Sequence, residues 1–328
     1  MTNIDINELA RRMGVAKSTV SKALGGHPDI SAPTRKRITA AAARYNYNPS
    51  WIARALTSKK TGLIGLMMHR PHSGFFIEIA GSIVTGAGRR GYRVALDFSG
   101  DDPEMEKEIL ADYRGRHLEG AIIEPSLKDT AVALADSCGG MPYVIVDHYL
   151  KGAKAPYVGS DFHEIGYLAA RHLLELGHRR IGYLGGSPGF PAARARQAGF
   201  LKACREFGAF IKKDWICHES FDEPAGYKQA LAVMRKFPEV TAFVCAGNEL
   251  SQGALRAGRT LGRTAPRDIS VIGLSALGNI SSVSQCPKMV GEIALDTLLR
   301  KISGLPVETR RIVGAEIDVR GTTAPPGI

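Results

Sequence analysis

Short apolar runs alternate with amphipathic segments over most of the 328-residue chain, and this alternation constrains the fold more than any other feature. Runs that are apolar throughout are typical of strands buried on both faces of a parallel sheet. We predict strands at 63–68, 93–97, 120–123, 143–146, 180–184, 241–245 and 269–273. Helices are predicted at 78–90, 103–114, 161–176 and 252–261. The alternation predicts right-handed βαβ units in two doubly wound α/β subdomains, and a cleft between them suits a small ligand.

The positive charge of the chain is concentrated at one end. The formal net charge is +11. Residues 1–60 carry eleven Lys and Arg against three Asp and Glu, a net +8, and the other 268 residues carry only +3. A basic excess indicates polyanion binding only where one surface holds it, so the first 60 residues are the candidate nucleic-acid-binding module.

Three short helices are predicted in this basic module. Asp5 and Glu8 have the spacing of a capping box, and Gly14 can end the first helix in a left-handed turn. The second helix covers 16–24, and the third begins at Ser31, an N-cap residue. Two helices joined by a tight turn and supported by a third form a helix-turn-helix. The alternative is a generic three-helix bundle with a solvated basic face.

The second helix of a helix-turn-helix enters the DNA major groove, and its first-turn side chains reach base edges. Lys17, Ser18 and Lys22 are therefore the candidates for reading the DNA sequence. Other polar residues of the module are interpreted as contacts that position the protein on the phosphate backbone. These residues are Thr19, Ser21, Arg35 and Tyr47, and Arg37 and Arg44 are either further phosphate contacts or solvated charges.

The second helix and the segments after it resemble the lactose repressor and galactose repressor family of bacterial transcription factors. The resemblance is carried by GVAKSTVSKAL at 14–24, ISAPTR at 30–35 and YNYNP at 45–49. Two positions depart from the family pattern. Ala16 stands where the family usually has an N-capping serine, so capping of about 1 kcal/mol is missing. Lys22 stands where arginine is common, which weakens a bidentate guanine contact.

The resemblance implies a conditional hinge after the helix-turn-helix. Residues 50–58 have helix-forming composition, but an isolated helix of this length is marginal in water. In the family, the hinge segments of two subunits fold as paired helices on the operator. Leu56 corresponds to the leucine that enters the minor groove, and Ala53 to the small residue beside it. The alternative is an ordinary linker whose Leu56 packs on the neighbouring domain.

The resemblance extends with looser motifs through nearly the whole chain and implies a periplasmic-binding-protein-like sensor. The fold class is then a small all-α helix-turn-helix DNA-binding domain followed by an α/β core of two doubly wound subdomains. The implied boundaries are 1–47 for the DNA-binding domain, 48–61 for the hinge and linker, and 62–328 for the core. The core divides into an N-subdomain of about 62–160 and 286–311 and a C-subdomain of about 161–285 and 312–328.

The resemblance also implies which residues bind the effector. They are Phe75, Phe76, Asp147, Arg196, Phe221 and Asn248. Aromatic side chains can cover the face of a ligand ring while Arg and Asp fix its polar edge. Each residue also has an ordinary structural interpretation, namely core packing for Phe75 and Phe76 and a surface ion pair for Arg196.

Two departures bear on the effector. Gly247-Asn248-Glu249 stands where the family usually has Asn-Asp, and the segment at 275–280 is shorter and lacks the usual acidic residue. Because those carboxylates would accept hydrogen bonds from sugar hydroxyls, their absence disfavours a simple free sugar. Arg194 together with Arg196 favours an anionic metabolite or a sugar derivative, unless Arg194 faces solvent.

No catalytic, metal or cofactor motif is recognised. His163-Glu164 lacks the second histidine of a zincin, the glycines at 185–189 match neither a P-loop nor a dinucleotide-binding turn, and G-x-S-x-G is absent. The five cysteines are widely spaced without C-x-x-C, which indicates free thiols in a reducing compartment. Neither a secretory signal nor an apolar run of about 18 residues occurs, so we expect a cytoplasmic, nucleoid-associated protein without membrane contact.

These observations together predict a homodimeric, sequence-specific repressor of transcription. It would bind a pseudo-palindromic operator and respond to a small-molecule effector in the cleft of its core. The residues at 321–328 lack apolar heptads, which favours a dimer over a tetramer built through such a tail. The alternative is a small-molecule-binding protein or enzyme whose basic N-terminus binds nucleic acid only non-specifically.

Overall fold

The structure is a computed structural model that describes residues 4–47, 60–69, 74–100, 102–125, 131–274 and 278–327. The chain forms two compact units, Met1–Gly62 and Leu63–Ile328. The division lies one residue from the start that the sequence predicts for the core. Most of the predicted hinge, residues 48–59, lies outside the described residues.

The first unit consists of three helices around a small apolar core. The helices are α1 (Ile6–Met13), α2 (Lys17–Leu24) and α3 (Ala32–Arg44). Their buried side chains are Leu9, Ala10, Val20, Ala23, Ile38 and Ala42. All three helices are therefore where the periodicity of the sequence predicts them.

The start and end of α1 show which of the capping predictions hold. The Glu8 N–H donates to the Asp5 carboxylate at 2.8 Å, and Gly14 has a φ of 63°, in the left-handed region that glycine favours. The reciprocal half of the capping box is wrong. The Glu8 carboxylate accepts hydrogen bonds from Arg11 and Arg12 instead, and these guanidinium groups lower the pKa of Glu8 to about 2.

The first sheet of the second unit has six parallel strands in the order β11-β5-β4-β3-β1-β2. The strands are β1 (Leu63–Met68), β2 (Arg93–Phe98), β3 (Gly120–Ile123), β4 (Tyr143–Val146), β5 (Tyr157–Ser160) and β11 (Arg310–Val313). The helices between its first strands are α4 (Gly74–Arg89), α5 (Pro103–Gly115) and α6 (Ala131–Cys138).

The second sheet also has six strands, in the order β12-β10-β9-β8-β6-β7, and only β12 is antiparallel to its neighbour. Its strands are β6 (Ile181–Gly186), β7 (Ile216–Glu219), β8 (Ala242–Cys245), β9 (Ser270–Leu274), β10 (Ser282–Ser284) and β12 (Glu316–Asp318). Its helices are α7 (Phe162–Glu175), α8 (Pro191–Glu206), α9 (Glu223–Lys236) and α10 (Asn248–Thr260), with a short 3-10 turn at Lys213–Trp215.

Strand β1 shows why the sheets are covered on both faces. Successive side chains of a strand point to opposite sides. Ile64, Leu66 and Met68 therefore join the core beneath α4, while Met67 joins the core on the side of α5 and α6. The ring of Tyr113 occupies the space where a Cβ of Gly65 would lie. A run that is apolar at every position is thus buried on both faces, as the sequence predicts.

The chain passes between the two sheets three times. Helix α11 (Pro287–Ile302) packs its buried face on the first sheet, and β11 lies in that sheet beside β5. Strand β11 runs through the predicted return point at 311/312, so this return lies between Val313 and Glu316 instead. No helix among the described residues is long and apolar enough to cross a membrane.

Candidate DNA-binding surface and ligand cavity

One side of α2 is free to meet a ligand outside the first unit. Successive helical residues are rotated by about 100°, so residues 17, 18, 21 and 22 fall within an arc of about 140°. All four are exposed, whereas Val20 and Ala23 are buried on the other side. We call Lys17, Ser18, Ser21 and Lys22 the reading face.

Helix α2 begins without a side-chain cap. Ala16 has the extended backbone of an N-cap residue, with φ of −69° and ψ of 150°, but its methyl group accepts no hydrogen bond. Its carbonyl accepts the N–H groups of Thr19 and Val20 at 2.9 and 3.2 Å. Helix α2 therefore lacks a side-chain cap beside the reading face, as the sequence predicts.

The turn between α2 and α3 is held by Arg35. Its guanidinium donates to the carbonyl of His27 at 2.8 Å and to that of Ile30 at 3.3 Å. Lys22 on the reading face forms an ion pair with Asp29 of the same turn at 3.2 Å. Both side chains of that pair are about half exposed, and exposed pairs contribute about 0–1 kcal/mol, so Lys22 can exchange Asp29 for DNA at little cost.

The remaining positioning candidates lie on α2, in the last turn of α3 and just after α3. Thr19 and Tyr47 are half-buried, and Tyr47 packs against the core of the first unit. The guanidinium of Arg44 lies 5.6 Å from the ring centre of Tyr45, and that of Arg12 lies 4.7 Å from it. The two hinge candidates, Ala53 and Leu56, lie outside the described residues.

A cavity of about 360 Å³ lies in the second unit at the carboxyl ends of the strands of both sheets. Ligands of open α/β sheets bind at this edge, because the loops that follow parallel strands converge there. Its residues lie at the end of β9 or follow strands β1, β4, β5, β6, β7, β8 and β10. The lining consists of His69, Gly74, Phe75, Phe76, Asp147, His148, Phe162, Phe190, Ala192, Arg196, Phe221, Asp222, Ala246, Gly247, Asn248, Glu249, Leu274 and Gln285.

All six effector candidates named from the sequence line this one cavity. Phe75 and Phe76 lie in the first turn of α4, which begins four residues before the predicted start, and their rings meet edge to face with centres 5.1 Å apart. Asn248 is the first residue of α10, which also begins four residues before its predicted start. The helices begin early because the residues that line the cavity form their first turns.

Asp147 has a backbone conformation that aims its side chain. Its φ is 58°, which a residue other than glycine adopts rarely and Asp more readily than most. Its N–H donates to the carbonyl of Val158 at 3.2 Å, and its carbonyl accepts the hydroxyl of Tyr157 at 2.9 Å. These bonds hold the turn after β4, and backbone strain of this kind is concentrated at functional sites.

Arg196 supplies a buried cation to the cavity. It is 9% exposed, and its guanidinium lies 5.4 Å from the ring centre of Phe162 and 5.6 Å from that of Phe221. Its Nε is buried and has no hydrogen-bond partner among the described residues. Burial lowers the pKa of Arg196, and the Tyr183 hydroxyl and the Asp147 carboxylate act in the opposite direction.

Arg194 does not share this environment. Its guanidinium is exposed and donates to the carbonyls of Pro188 at 2.6 Å and Gly189 at 3.2 Å, and it is not among the residues that line the cavity. The expectation that Arg194 joins Arg196 at the ligand is therefore wrong, because the short loop before α8 uses Arg194 to satisfy its own backbone. Arg196 is the cavity's arginine among the described residues.

The cavity also holds polar residues that the sequence did not single out as ligand-binding. They are His69, His148, Asp222, Glu249 and Gln285. Asp222 already caps α9, because its carboxylate accepts the Ala225 N–H at 2.8 Å. Glu249 places a carboxylate beside Asn248, whose amide donates to it at 3.4 Å. The departure from the family pattern at 247–249 therefore moves the acidic residue by one position and does not remove it. Their only signal in the sequence is a polar residue within a few positions after a strand.

Two family models match the chain. The one described as bacterial regulatory proteins, lacI family, matches residues 5–50, and the one described as periplasmic binding protein-like domain matches residues 170–323. Among curated proteins, the HTH-type transcriptional repressor PurR of Erwinia tasmaniensis is 28% identical over 316 residues, which cover 94% of this chain and 93% of the relative. PurR of Photorhabdus laumondii is 29% identical and covers 90% of both chains.

Solved structures share the fold. The Lac repressor dimer bound to operator and the anti-inducer ONPF has a TM-score of 0.86 at 24% identity, over 98% of this chain and all of that one. A complex of the transcriptional regulator CelR with cellobiose has a TM-score of 0.70, also at 24% identity, over 98% of this chain and all of that one.

Proposed function

Because the chain belongs to the lacI family of bacterial regulatory proteins, we propose that it is a transcriptional repressor that binds operator DNA as a homodimer. A small molecule in the cavity of the second unit controls that binding. The observation that carries the proposal is the pairing of an exposed basic reading face on α2 with a separate, largely apolar cavity that contains the buried Arg196. Two sites of different chemistry on one chain are what a ligand-controlled DNA-binding protein requires.

Three residues of the reading face, Lys17, Ser18 and Lys22, supply the base contacts. Lys17 and Lys22 donate hydrogen bonds to guanine acceptors in the major groove, and Ser18 contacts either a donor or an acceptor. Arg35 acts as a positioning residue because it holds the turn that carries Asp29. Thr19, Ser21 and Tyr47 contact or face the phosphate backbone.

The hinge segment links DNA binding to the arrangement of the two subunits. Leu56 enters the minor groove at the centre of the operator, and Ala53 allows close approach beside it. Leu56→Ala should therefore reduce operator affinity by more than it reduces affinity for unrelated DNA. Equal losses on both DNAs would refute the minor-groove role of Leu56.

The first sheet offers a surface for the second copy of the chain. Ile77 is 61% exposed and Val84 is 46% exposed on α4, and Leu96 and Phe98 are each 41% exposed on the edge strand β2. Large apolar side chains gathered on one face of a domain commonly mark an interface between subunits. A homodimer covers them and places two reading faces for two operator half-sites.

The cavity favours a small ring-shaped molecule with an anionic group. Five phenylalanines supply flat apolar walls, and the volume lies in the range of small-molecule sites. The buried guanidinium of Arg196 needs a partner, since an uncompensated buried charge is costly. Asp147 and Glu249 accept hydrogen bonds from hydroxyl or amino groups of the same ligand, so a sugar derivative or another anionic metabolite satisfies all three.

A selection from random-sequence DNA tests the proposed function. The full chain should enrich a pseudo-palindrome, and replacing Lys17 and Ser18 should change the half-site. The competing function, a small-molecule-binding protein or enzyme whose basic N-terminus binds DNA without sequence preference, predicts no enrichment. An unchanged motif in the variant would refute the assignment of base readers.

A panel of metabolites scored by thermal shift, with and without the selected operator, tests the control by a ligand. The coupling between the two sites is reciprocal, so an inducer binds more weakly in the presence of DNA and a co-repressor binds more tightly. A ligand that stabilises the protein equally with and without operator would show that occupation of the cavity does not control DNA binding.

A further inference from the structure

Two histidines that line the cavity, His69 and His148, meet the buried carboxylate of Glu124 at the edge of the first sheet. His69 follows β1, Glu124 follows β3 and His148 follows β4 by two residues. These strands are neighbours in the order β4-β3-β1, so their carboxyl ends lie side by side about 5 Å apart. One ligand atom from each of the three residues lies within 4.8 Å of those of the other two.

The ring of His148 is oriented by a hydrogen bond from its Nδ1. Nδ1 of His148 lies 3.0 Å from the carbonyl oxygen of Pro125, which can only accept, so Nδ1 carries the proton and donates. Nε2 then faces the carboxylate of Asp147, with 3.4 Å between Nε2 and Oδ2. A cation placed beside both groups would interact favourably with each of them. Histidines that bind metals usually donate their other ring N–H to a carbonyl in this way.

The carboxylate at position 124 is also fixed in place. Glu124 is fully buried, and the backbone N–H of His69 donates to its Oε2 at 3.2 Å. Its Oε1 contacts Nδ1 of His69, and the His69 ring stacks on that of His148 with centres 5.0 Å apart. Two buried carboxylates, Glu124 and Asp147, are thus held beside two imidazoles, and a positive charge among them offsets their desolvation.

We propose that His69, Glu124 and His148 bind a divalent first-row transition metal ion such as Zn²⁺. Two imidazoles and one carboxylate are a common ligand set for a site that keeps one coordination position open. Ligand atoms around a tetrahedral Zn²⁺ lie about 3.3 Å apart when the metal–ligand distance is about 2.0–2.1 Å. The ligand atoms now lie within 4.8 Å of one another, and the direct contact between Nδ1 of His69 and Oε1 of Glu124 would have to lengthen to that value when the ion binds.

The open position is directed into the cavity, because His69 and His148 both line it. Asp147 borders the same position and accepts a hydrogen bond from a metal-bound water or ligand group. The ligand of the cavity then belongs to the class of chelating anions, with one donor atom on the metal and its negative charge beside Arg196. This part of the inference rests on the proposed function, whereas metal binding itself does not.

Titration of the chelator-treated full chain with Co²⁺ tests the site directly. One equivalent per chain should produce visible ligand-field absorption, and Zn²⁺ should abolish it by displacement. Glu124→Gln and His148→Ala each remove one ligand and should weaken Co²⁺ binding by at least about tenfold. His117→Asn is the control, since His117 is exposed, lies outside the cavity and has a φ of 56°, which Asn tolerates.

The outcomes separate the metal site from its alternatives. Absence of Co²⁺ absorption in the wild type, or equal affinity in both variants and the control, would overturn the proposal. Thermal melting shows whether Glu124→Gln folds. If it does not fold, the Co²⁺ affinity of His148→Ala, whose substitution lies at the cavity wall, is the deciding measurement. The DNA selection is run on the chelator-treated protein, so a failed metal site and a failed repressor function are distinguishable.

Discussion

Helices α7 and α8 pack so closely at Gly166 that adding one methyl group should be costly. A Cβ at position 166 would lie 2.7 Å from the carbonyl carbon of Arg196 and 2.9 Å from its Cα, and closer still to its carbonyl oxygen. Ordinary contacts begin at 3.4 Å, so the helices must separate by about 1.5 Å to clear the carbonyl oxygen. The contact is reciprocal, because a Cβ at Gly199 would meet the backbone N of Tyr167 at 2.8 Å.

The expected magnitude follows from two opposing effects. Overpacking a core costs about 1–3 kcal/mol, and the upper value applies here because the obstacle is backbone that cannot rotate away. Replacing Gly by Ala within a helix returns up to about 1 kcal/mol. Gly166→Ala should therefore lower the free energy of unfolding by about 2 kcal/mol, or the melting temperature by about 4–8 °C for a unit of this size.

Thermal melting of the full chain, followed by circular dichroism, measures the effect. Gly115→Ala is the matched control, because Gly115 is the exposed last residue of α5 and a Cβ there meets nothing within 4 Å. The control should leave the melting temperature unchanged or raise it slightly. Equal melting temperatures for Gly166→Ala, the control and the wild type would refute the reasoning about helix contact.

Three further predictions concern the cap, the cavity and the response to pH. Ala16→Ser should slow amide exchange in α2 about fivefold, since a serine N-cap contributes about 1 kcal/mol, and Ala16→Val should not. Arg196→Met should weaken the cavity ligand by about 10- to 150-fold, whereas Arg194→Met should not; similar losses in both would refute the assignment. Burial lowers the pKa of His178, so below about pH 6.5 the unfolded chain takes up a proton that the folded chain resists, and the free energy of unfolding falls as pH falls. Urea unfolding at pH 7.5 and 5.5 should show a smaller decrease for His178→Gln, and an unchanged decrease would exclude His178 as the cause.

The secondary structure of the core follows closely from the sequence. The strands at Leu63–Met68, Gly120–Ile123 and Tyr143–Val146 have the predicted bounds, because each apolar run is buried on both faces and ends at a glycine, a proline or a polar residue. Helix starts at the cavity were less predictable. The first turns of α4 and α10 carry ligand-facing residues, and their composition does not follow the apolar periodicity of a core helix.

The candidate ligand residues were also predictable only in part. Phe75, Asp147 and Arg196 were expected from the resemblance, and they do line one cavity. The sequence could not distinguish Arg194 from Arg196, because two arginines in the same turn differ only in which face of α8 is covered. Arg196 is buried with its guanidinium near two aromatic rings, while Arg194 is exposed and donates to backbone carbonyls.

The sequence by itself determined the two kinds of unit, the location of the positive charge and the residues of the reading face. These properties depend on local periodicity and on charge counted along the chain. Only the tertiary structure decided that His69, Glu124 and His148 meet, since they are separated by many residues and no motif links them. Strand order brings them together: β3 lies between β1 and β4, so the three residues that follow these strands share one edge of the sheet.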